Sequence, residues 1–453
     1  MLSLRPTHTL ALCILLRALL AYWISPSSVS STAGFLSSSS PLTSWLNLQE
    51  GIYLFKRGID PYSGGVFRHS PLYLSLSSLL PISIFSNPLF CAILFTVADA
   101  FAAYALIGIW RLRQGLRLTM ESSRDSLLVA IYMLNPCIFI PSLARSTSSL
   151  DNACLLGAVM WACEACGSGP GGKSENESVV SSKRSRSKSR SLLLLALRTH
   201  LSTDTLILLP PTMMLILSQD PGSRLASPRG FVPGTKNKST LTTPILVLLA
   251  EWFLYWTLLT LLSSLVVGFG SGWMGQTWGA SFTLPDLTPN PGVWWYFFTE
   301  MFDHFRPFFL MVFSVHLLLY VAPVCIKFQH DPLYAFFILT GILSTFKPYP
   351  TLSDPGLFMA LWGVFPEVYK YLRHPLVTFL TSLHALLLQP LFAHLWLSHG
   401  TGNANFYYAT TLVGACSGGL ALVDACWAGL RIAVGGVEGV DERGEEKEVV
   451  TQQ

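Results

Sequence analysis

Glu300, Asp303 and His304 lie in the run Trp294-Trp295-Tyr296-Phe297-Phe298-Thr299-Glu300-Met301-Phe302-Asp303-His304-Phe305, which sets two carboxylates and an imidazole among aromatic rings at the mouth of an apolar stretch. Glu300 and His304 are four apart and would share one face of a helix. Charged groups beside a hydrophobic segment are costly unless they are paired or functional. Two readings follow. Aromatics of this kind anchor a segment at a water–lipid boundary; alternatively, Glu300, Phe302, His304 and Phe305 contact a lipid ligand.

A second constellation is Asn403-Ala404-Asn405, directly before Phe406-Tyr407-Tyr408. Two amides, each with donors and an acceptor, suit a glycan or a phosphate headgroup. Asn is also a favoured helix N-cap. For Asn405 the two readings stand level; Asn403, two residues further back, leans towards the ligand. Lys347, between Phe346 and Pro348, suits a lipid phosphate or simply snorkels to the interface. Asp60 opens Asp60-Pro61-Tyr62-Ser63-Gly64 and reads first as a turn residue, with Asp60 and Tyr62 also open to a substrate. Asp286 and Asn290 add polar groups in Pro285-Asp286-Leu287-Thr288-Pro289-Asn290. Gly-rich phosphate loops, a Gly-x-Ser-x-Gly elbow and His-Glu-x-x-His are absent from the sequence, so it carries no standard hydrolase or nucleotide motif. Cys163-x-x-Cys166 has redox or zinc spacing but lacks a second pair. No catalytic residue, metal or cofactor is expected.

These polar stretches must be held by apolar helices. The chain has 453 residues, 51% hydrophobic and 12% charged, with a mean hydropathy of +0.48, whereas soluble domains carry about 25% charged residues. The bilayer is therefore the expected solvent. The expected fold is all-α: a polytopic membrane domain over 1–434 with about twelve transmembrane helices, some short or re-entrant. The first apolar run, about Thr9 to Ile24, lacks a small-residue cleavage site and reads as an uncleaved first helix. Residues 25–86 read as a lumenal loop with helices lying on the membrane surface. Spans follow near 89–110, 127–143, 150–166, 244–269, 306–328, 332–346, 355–368, 375–396 and 406–430.

Positive charge clusters in two stretches, Lys183 to Arg190 and Arg224 to Lys238, which makes 167–191 and 219–242 basic cytosolic loops. A membrane-side role for this charge outweighs a nucleic-acid arm. The apolar segment Ser191–Ser218 between those loops, interrupted by Thr203-Asp204-Thr205, predicts a hairpin of two short helices or a re-entrant segment. Both termini fall in the cytosol, and the acidic tail 435–453 is expected to be disordered. The sequons at Asn176 and Asn237 then stay unmodified. With this topology the Asp60, Asp286, Lys347 and Asn403 stretches all converge on the lumenal face.

The same stretches resemble the PIG-U subunit family of glycosylphosphatidylinositol (GPI) transamidase. The likeness rests on the region Pro41 to Pro71, on Leu134-Asn135-Pro136, on Pro285 to Asn290 continuing through Glu300 to Phe305, on Phe346 to Thr351, and on His394-Leu395-Trp396 through Asn405-Phe406, in order along the chain. The resemblance implies an endoplasmic-reticulum complex that cleaves a C-terminal signal and joins the new carboxyl terminus to the ethanolamine-phosphate of a GPI lipid. It further implies that the Cys/His chemistry belongs to PIG-K, and that this chain is non-catalytic, holding the GPI lipid and assembling with PIG-K, PIG-S, PIG-T and the Gaa subunit. It implies a membrane fold like that of GT-C-type glycosyltransferases. The segment Glu300 to Phe305 also resembles a motif of fatty-acid elongases, which points to long acyl chains.

Two other functions compete. A dolichol-phosphate-mannose-dependent GPI mannosyltransferase would need closely spaced acids in the first lumenal loop, where only Glu50 and Asp60 occur. A transporter would place charges such as Asp99, Asp151, Asp204, Glu251 and Asp424 along a pathway at the bilayer midplane.

Overall fold

A computed structural model describes residues 6–24, 38–78, 80–116, 122–166, 177–218, 222, 225–226 and 242–437. The architecture is all-helical: α1 (Pro6–Trp23), α2 (Trp45–Lys56), α3 (Pro71–Ser78), α4 (Ile82–Ser86), α5 (Pro88–Arg113), α6 (Ser123–Met133), α7 (Pro136–Leu143), α8 (Ser148–Ala165), α9 (Glu177–Leu201), α10 (Leu209–Leu217), α11 (Thr242–Val266), α12 (Gly272–Thr283), α13 (Trp294–Thr299), α14 (Arg306–Leu319), α15 (Val321–Lys327), α16 (Pro332–Phe346), α17 (Ser353–Trp362), α18 (Pro375–Leu397) and α19 (Ala404–Val437). Short 3-10 turns cover Thr203–Leu208 and Pro366–Tyr371.

The sequence encodes several helix starts with one device. Asn87-Pro88, Asn135-Pro136 and Asp331-Pro332 each place proline in the first turn, where its missing N–H costs nothing, and a capping side chain just before it. Asn87 Oδ1 accepts from Leu89 N at 2.8 Å, Asn135 Oδ1 from Cys137 N at 3.0 Å and Asp331 Oδ1 from Tyr334 N at 3.1 Å.

Among the described residues α1, α5, α11, α18, α19 and the continuous stretch formed by α14 with α15 are long and apolar enough to cross a membrane, six in all, and α6 with α7, bent by 51° at their break, makes up to a seventh. The chain is a multi-pass membrane protein. The expectation of about twelve helices included short or re-entrant ones, and α10, α16 and α17, with 9, 15 and 10 residues, are of that short kind, below the roughly 20 of a straight crossing. Every residue of α16 except Ser344 and Phe346 is buried, so its apolar character serves the protein core. By contrast, α11, α14 and α18 expose rows of large apolar side chains, among them Phe253, Leu258, Phe308, Met311, Phe379 and Leu387, as lipid- or partner-facing surfaces do.

The segment Ser191–Ser218 breaks where Thr203-Asp204-Thr205 interrupts it, but its first arm is not short: α9 begins at Glu177 and has 25 residues. The basic stretch 183–190 is thus helix rather than loop. Lys183 pairs with Glu164 at 3.1 Å, Lys188 with Glu251 at 2.9 Å, and Lys and Arg are good helix formers. Residues 71–86 form α3 and α4, of 8 and 5 residues, neither long enough to cross. The sequon asparagines 176 and 237 and the tail from 438 onward lie outside the described residues.

The acidic groups that a transport pathway would use all meet protein partners: Asp99 with Arg17, Asp151 with Arg198 at 3.9 Å, Asp204 with Ser281 Oγ at 3.3 Å, Glu251 with Lys188, and Asp424 Oδ2 with His374 N at 2.9 Å. They tie helices together. The main core is built from α5, α6, α8, α9, α10, α16, α17 and α19, while a second core joins α2, α3 and α4 to α5 and α12.

Candidate functional site

The helix α13 ends at Thr299, and Phe305 N donates to Phe302 O at 3.0 Å in a tight turn before α14 begins. Glu300 and His304 therefore do not share a helix face, contrary to the reading from their spacing. The turn instead spreads the segment along the edge of an apolar groove of about 370 Å³, lined by Tyr296, Phe297, Glu300, Met301, Phe302, Phe305, Phe309 and Tyr408. Phe302 is 74% exposed and Phe305 50%. His304 stands outside the lining, its ring 3.9 Å from that of Phe305.

Aromatic packing fixes the groove wall. Trp295 is buried, stacking on Trp396 at 6.4 Å and meeting Tyr408 edge-on at 5.8 Å. Trp294 Nε1 donates to Phe346 O at 2.8 Å, and Tyr408 Oη donates to Val293 O at 2.9 Å. These bonds satisfy the polar atoms of Trp294 and Tyr408, whereas the indole N–H of the buried Trp295 has no hydrogen-bond partner among the described residues.

The two asparagines have different roles: Asn403, which leaned towards a ligand, is the cap, and Asn405, for which the two readings stood level, is not. Asn403 caps α19, its Oδ1 accepting from Phe406 N at 3.1 Å. Asn405 Oδ1 instead accepts the hydroxyl of Tyr296, tying the start of α19 to α13 at the groove edge. A cap stands just before its helix and accepts from the second or third N–H; Asn403 occupies that position, while Asn405 lies inside the first turn. Both side chains are exposed.

The remaining candidates are held elsewhere by protein partners. Lys347 neither snorkels nor stands free: its Nζ is 3.0 Å from Asp354 Oδ1 and the side chain is 7% exposed. Asn290, 2% exposed, donates to Thr288 O at 3.1 Å and accepts from Gly292 N at 2.9 Å. A Cβ at Gly292 would lie 2.7 Å from Pro350 Cγ, so glycine lets this loop rest on Pro350. Asp286 Oδ1 accepts from Thr288 N, and its backbone N and O bond Tyr349 Oη at 3.1 and 2.9 Å. Burial pushes the Tyr349 hydroxyl up to about 12, keeping it a neutral donor.

Asp60 is the turn residue expected, its Oδ1 accepting from Tyr62 N at 3.0 Å. Tyr62 Oη donates to His69 O at 2.8 Å, and His69 Nε2 donates to Ser44 O at 2.9 Å. Burial lowers the His69 pKa to about 4. The neutral ring's contribution is present above the ordinary value near 6.5 and is lost as pH falls from there towards about 4. Acidification from pH 7 to 5 is expected to open residues 44–73 in amide exchange corrected for intrinsic rates. A His69→Gln variant should flatten that dependence; equal opening of the native chain at both pH values would refute it.

The groove thus brings together Glu300, Phe302 and Phe305 with Asn405 at its edge, and adds Tyr296, Phe309 and Tyr408. Their aromatic character was visible in the sequence, but their meeting was not, because Tyr296 and Asn405 are 109 positions apart. Among the described residues no cluster of three or more His, Cys, Asp or Glu could hold a metal. What the arrangement offers is an apolar floor rimmed by a carboxylate, an amide and phenol hydroxyls, the chemistry of a site for an amphipathic molecule.

The chain is similar over 395 residues, at 29% identity and 87% of both chains, to the GPI transamidase component GAB1 of Saccharomyces cerevisiae. It is 30% identical to the GPI-anchor transamidase component PIGU of Mus musculus over 418 residues and of Homo sapiens over 419, in each case across 84% of this chain and 85% of the relative. The mannosyltransferase alternative finds no support in these relatives. The family described as GPI transamidase subunit PIG-U matches residues 11–414, nearly the whole membrane domain that builds the groove, and the chain belongs to that family.

Proposed function

We propose that this chain acts in GPI-anchor attachment as a non-catalytic subunit of GPI transamidase in the endoplasmic reticulum membrane, with both termini in the cytosol and the groove on the lumenal face. The relatives' names carry the role in the complex. The reading assigns the Cys/His chemistry to PIG-K, with PIG-S, PIG-T and the Gaa subunit as further partners. The groove then receives the GPI lipid. Its Glu300 carboxylate complements the ammonium of an ethanolamine-phosphate, the Asn405 amide supplies two N–H donors for a phosphate or sugar oxygen, and the rings of Phe302, Phe305 and Phe309 meet apolar surface.

The observation that supports this most directly is the Tyr296–Asn405 hydrogen bond, which fixes an exposed amide at the rim of an apolar groove. Asn405→Ala is expected to lower attachment of a GPI reporter about tenfold, the scale of one hydrogen bond to a charged group, while co-purification of the complex stays intact. Asn403→Ala should act through its lost cap, costing about 1 kcal/mol, and Asn403→Ser, which keeps a capping oxygen, should restore attachment. Normal attachment by Asn405→Ala would refute the ligand role of this rim.

A further inference from the structure

The basic run Lys183 to Arg190, five cations in eight residues, is sorted by the fold into spent and unspent charge. Lys183 pairs with Glu164 and Lys188 with Glu251. Arg184 Nε turns into the bundle and donates to Ala165 O at 2.7 Å. Arg186 and Arg190 are exposed and, among the described residues, meet no carboxylate. Arg186 Nε donates to Ser182 O at 3.4 Å, and Arg190 Cζ lies 5.7 Å from the centre of the Trp161 ring of α8. Being four apart, the two arginines share one face of α9, where like charges are destabilising. An anion lying between them removes that cost.

Their depth says what kind of molecule brings the anion. Lys188 meets Glu251, and twelve residues further along each helix His200 Nε2 is 2.9 Å from Ser263 Oγ. The helices α9 and α11 therefore run parallel with a constant offset, which sets Arg186 and Arg190 level with Leu249 and Phe253. On α11 Leu246, Phe253 and Leu254 are 63%, 57% and 56% exposed, and on α9 Leu193, one turn beyond Arg190 on the same face, is exposed as well. The two guanidiniums thus border an apolar belt. At such a border the long arginine stem lets its head rise to the phosphate level, and the planar fork takes two phosphate oxygens at once. Trp161 adds an amphipathic ring of the kind that settles at headgroup depth.

This place is separate from the aromatic groove. Near the start of α8, Asn152 Nδ2 donates to Ser353 Oγ at 2.8 Å, close to the loop whose Phe346 O receives the Trp294 indole. Trp161 lies nine residues further along the same helix, about 14 Å at 1.5 Å per residue.

An acidic protein surface could also satisfy two guanidiniums. The exposed leucines and phenylalanine beside them favour a molecule that carries charge at one end and hydrocarbon at the other. A zwitterionic lipid brings its own cation, which competes for the phosphate, whereas an anionic lipid leaves the phosphate to the arginines. We propose that Arg186, Arg190 and Trp161 form a seat for the headgroup phosphate of an anionic phospholipid in the leaflet at this end of the bundle, with its acyl chains against Leu193 and the exposed face of α11.

The test places the purified complex containing this chain in nanodiscs with a photoreactive phosphatidylserine, and separately with a phosphatidylcholine, each carrying the same diazirine near its ester group. Labelled peptides are mapped by mass spectrometry. A basic side chain at an anionic membrane surface is worth about fivefold in affinity. The serine lipid is therefore expected to label residues 189–195 of α9 and 246–254 of α11 at least fivefold more than the choline lipid. Changing Arg186→Gln together with Arg190→Gln should bring the two lipids level, while Arg186→Lys with Arg190→Lys should keep more than half of the preference. Should the glutamine pair be lost from the complex, Arg190→Gln alone should cut the preference about fivefold. Equal labelling of the native complex by the two lipids would overturn the proposal, as would a preference that survives the glutamine changes. Release of another subunit by the glutamine pair, with the lipid preference intact, would assign the arginines to an acidic protein partner and overturn it too. The readout does not use GPI attachment, so its failure leaves the reading of the groove untouched.

Discussion

Arg113→Ala is expected to destabilise the chain by about 3–5 kcal/mol, the usual cost of breaking a buried ion pair by removing one partner. The guanidinium closes α5 and is completely buried. It reaches Asp331 through Nη1 at 3.0 Å and Nη2 at 2.7 Å, and Glu367 through Nη2 at 2.8 Å and Nε at 3.3 Å. Its Cζ lies 4.5 Å from the centre of the Phe365 ring. One side chain therefore joins α5, the start of α16 and the 3-10 turn Pro366–Tyr371. Its fork matches two carboxylates as a lysine ammonium cannot. In the alanine variant the Asp331 carboxylate, 1% exposed, loses its main counter-charge in a place that water reaches poorly.

The paired change Arg113→Met with Asp331→Asn removes the charge from both partners and keeps a capping side chain at the start of α16. It should recover more than half of the loss, Glu367 being partly exposed and able to hydrate. Thermal unfolding in detergent reads both results. An alanine variant as stable as the native chain, or a pair no better than the single change, would show that the network does not hold these elements.

The second large effect is expected at α1. Arg17 and Asp99 are 2% and 0% exposed and form an ion pair, and Arg17 Nε donates to Met133 O at 2.7 Å. The pair clips α1 to α5 and α6 within their apolar bodies. Arg17→Met leaves the Asp99 carboxyl without its counter-charge inside the bundle, a state that costs several kcal/mol. The expected consequence is local, because α1 has a poorly buried span, 11% against 56% for α5. It should come away from α5 before the rest unfolds, and Cys13, 4% exposed, should then react with a membrane-permeant maleimide at least tenfold faster. Combining Arg17→Met with Asp99→Leu should restore protection, since a well-packed apolar pair can replace a buried ionic one. Unchanged Cys13 protection in the single variant would remove the pair from the account of how α1 is held.

Both ion pairs show how far linear sequence reaches. Arg17, Asp99, Arg113 and Asp331 could all be read as costly charges in or beside apolar segments, and hence as candidates for function. Their partners are 82 and 218 positions away, and no local rule selects one partner over another. Lys347 differs in having its partner only seven positions on: it is open to a lipid phosphate by its surroundings in sequence but paired with Asp354 by the turn that starts α17. The same gap explains α16, whose continuous hydrophobicity suits a membrane span and a buried core helix equally until length and neighbours decide.

Local chemistry was legible wherever the physics is local. Composition named the solvent, because a chain with so few charges cannot cover a water-facing surface. Proline after asparagine or aspartate marked helix starts, and the break at Thr203-Asp204-Thr205 fell where polar residues interrupt an apolar run. Asp60 made the turn that its side chain prescribes. The ordered polar stretches were enough to point to the family.

Tertiary structure decided what each polar group is free to do. Asn403 and Asn405 are the same residue type two positions apart, yet one closes a helix and the other holds a tyrosine at the rim of a groove, because only one stands at the cap. Glu300 and His304 parted because α13 ends before reaching them. The aromatic groove exists only between helices distant in the chain, since a groove is a property of how surfaces meet, and one segment's sequence specifies only its own surface.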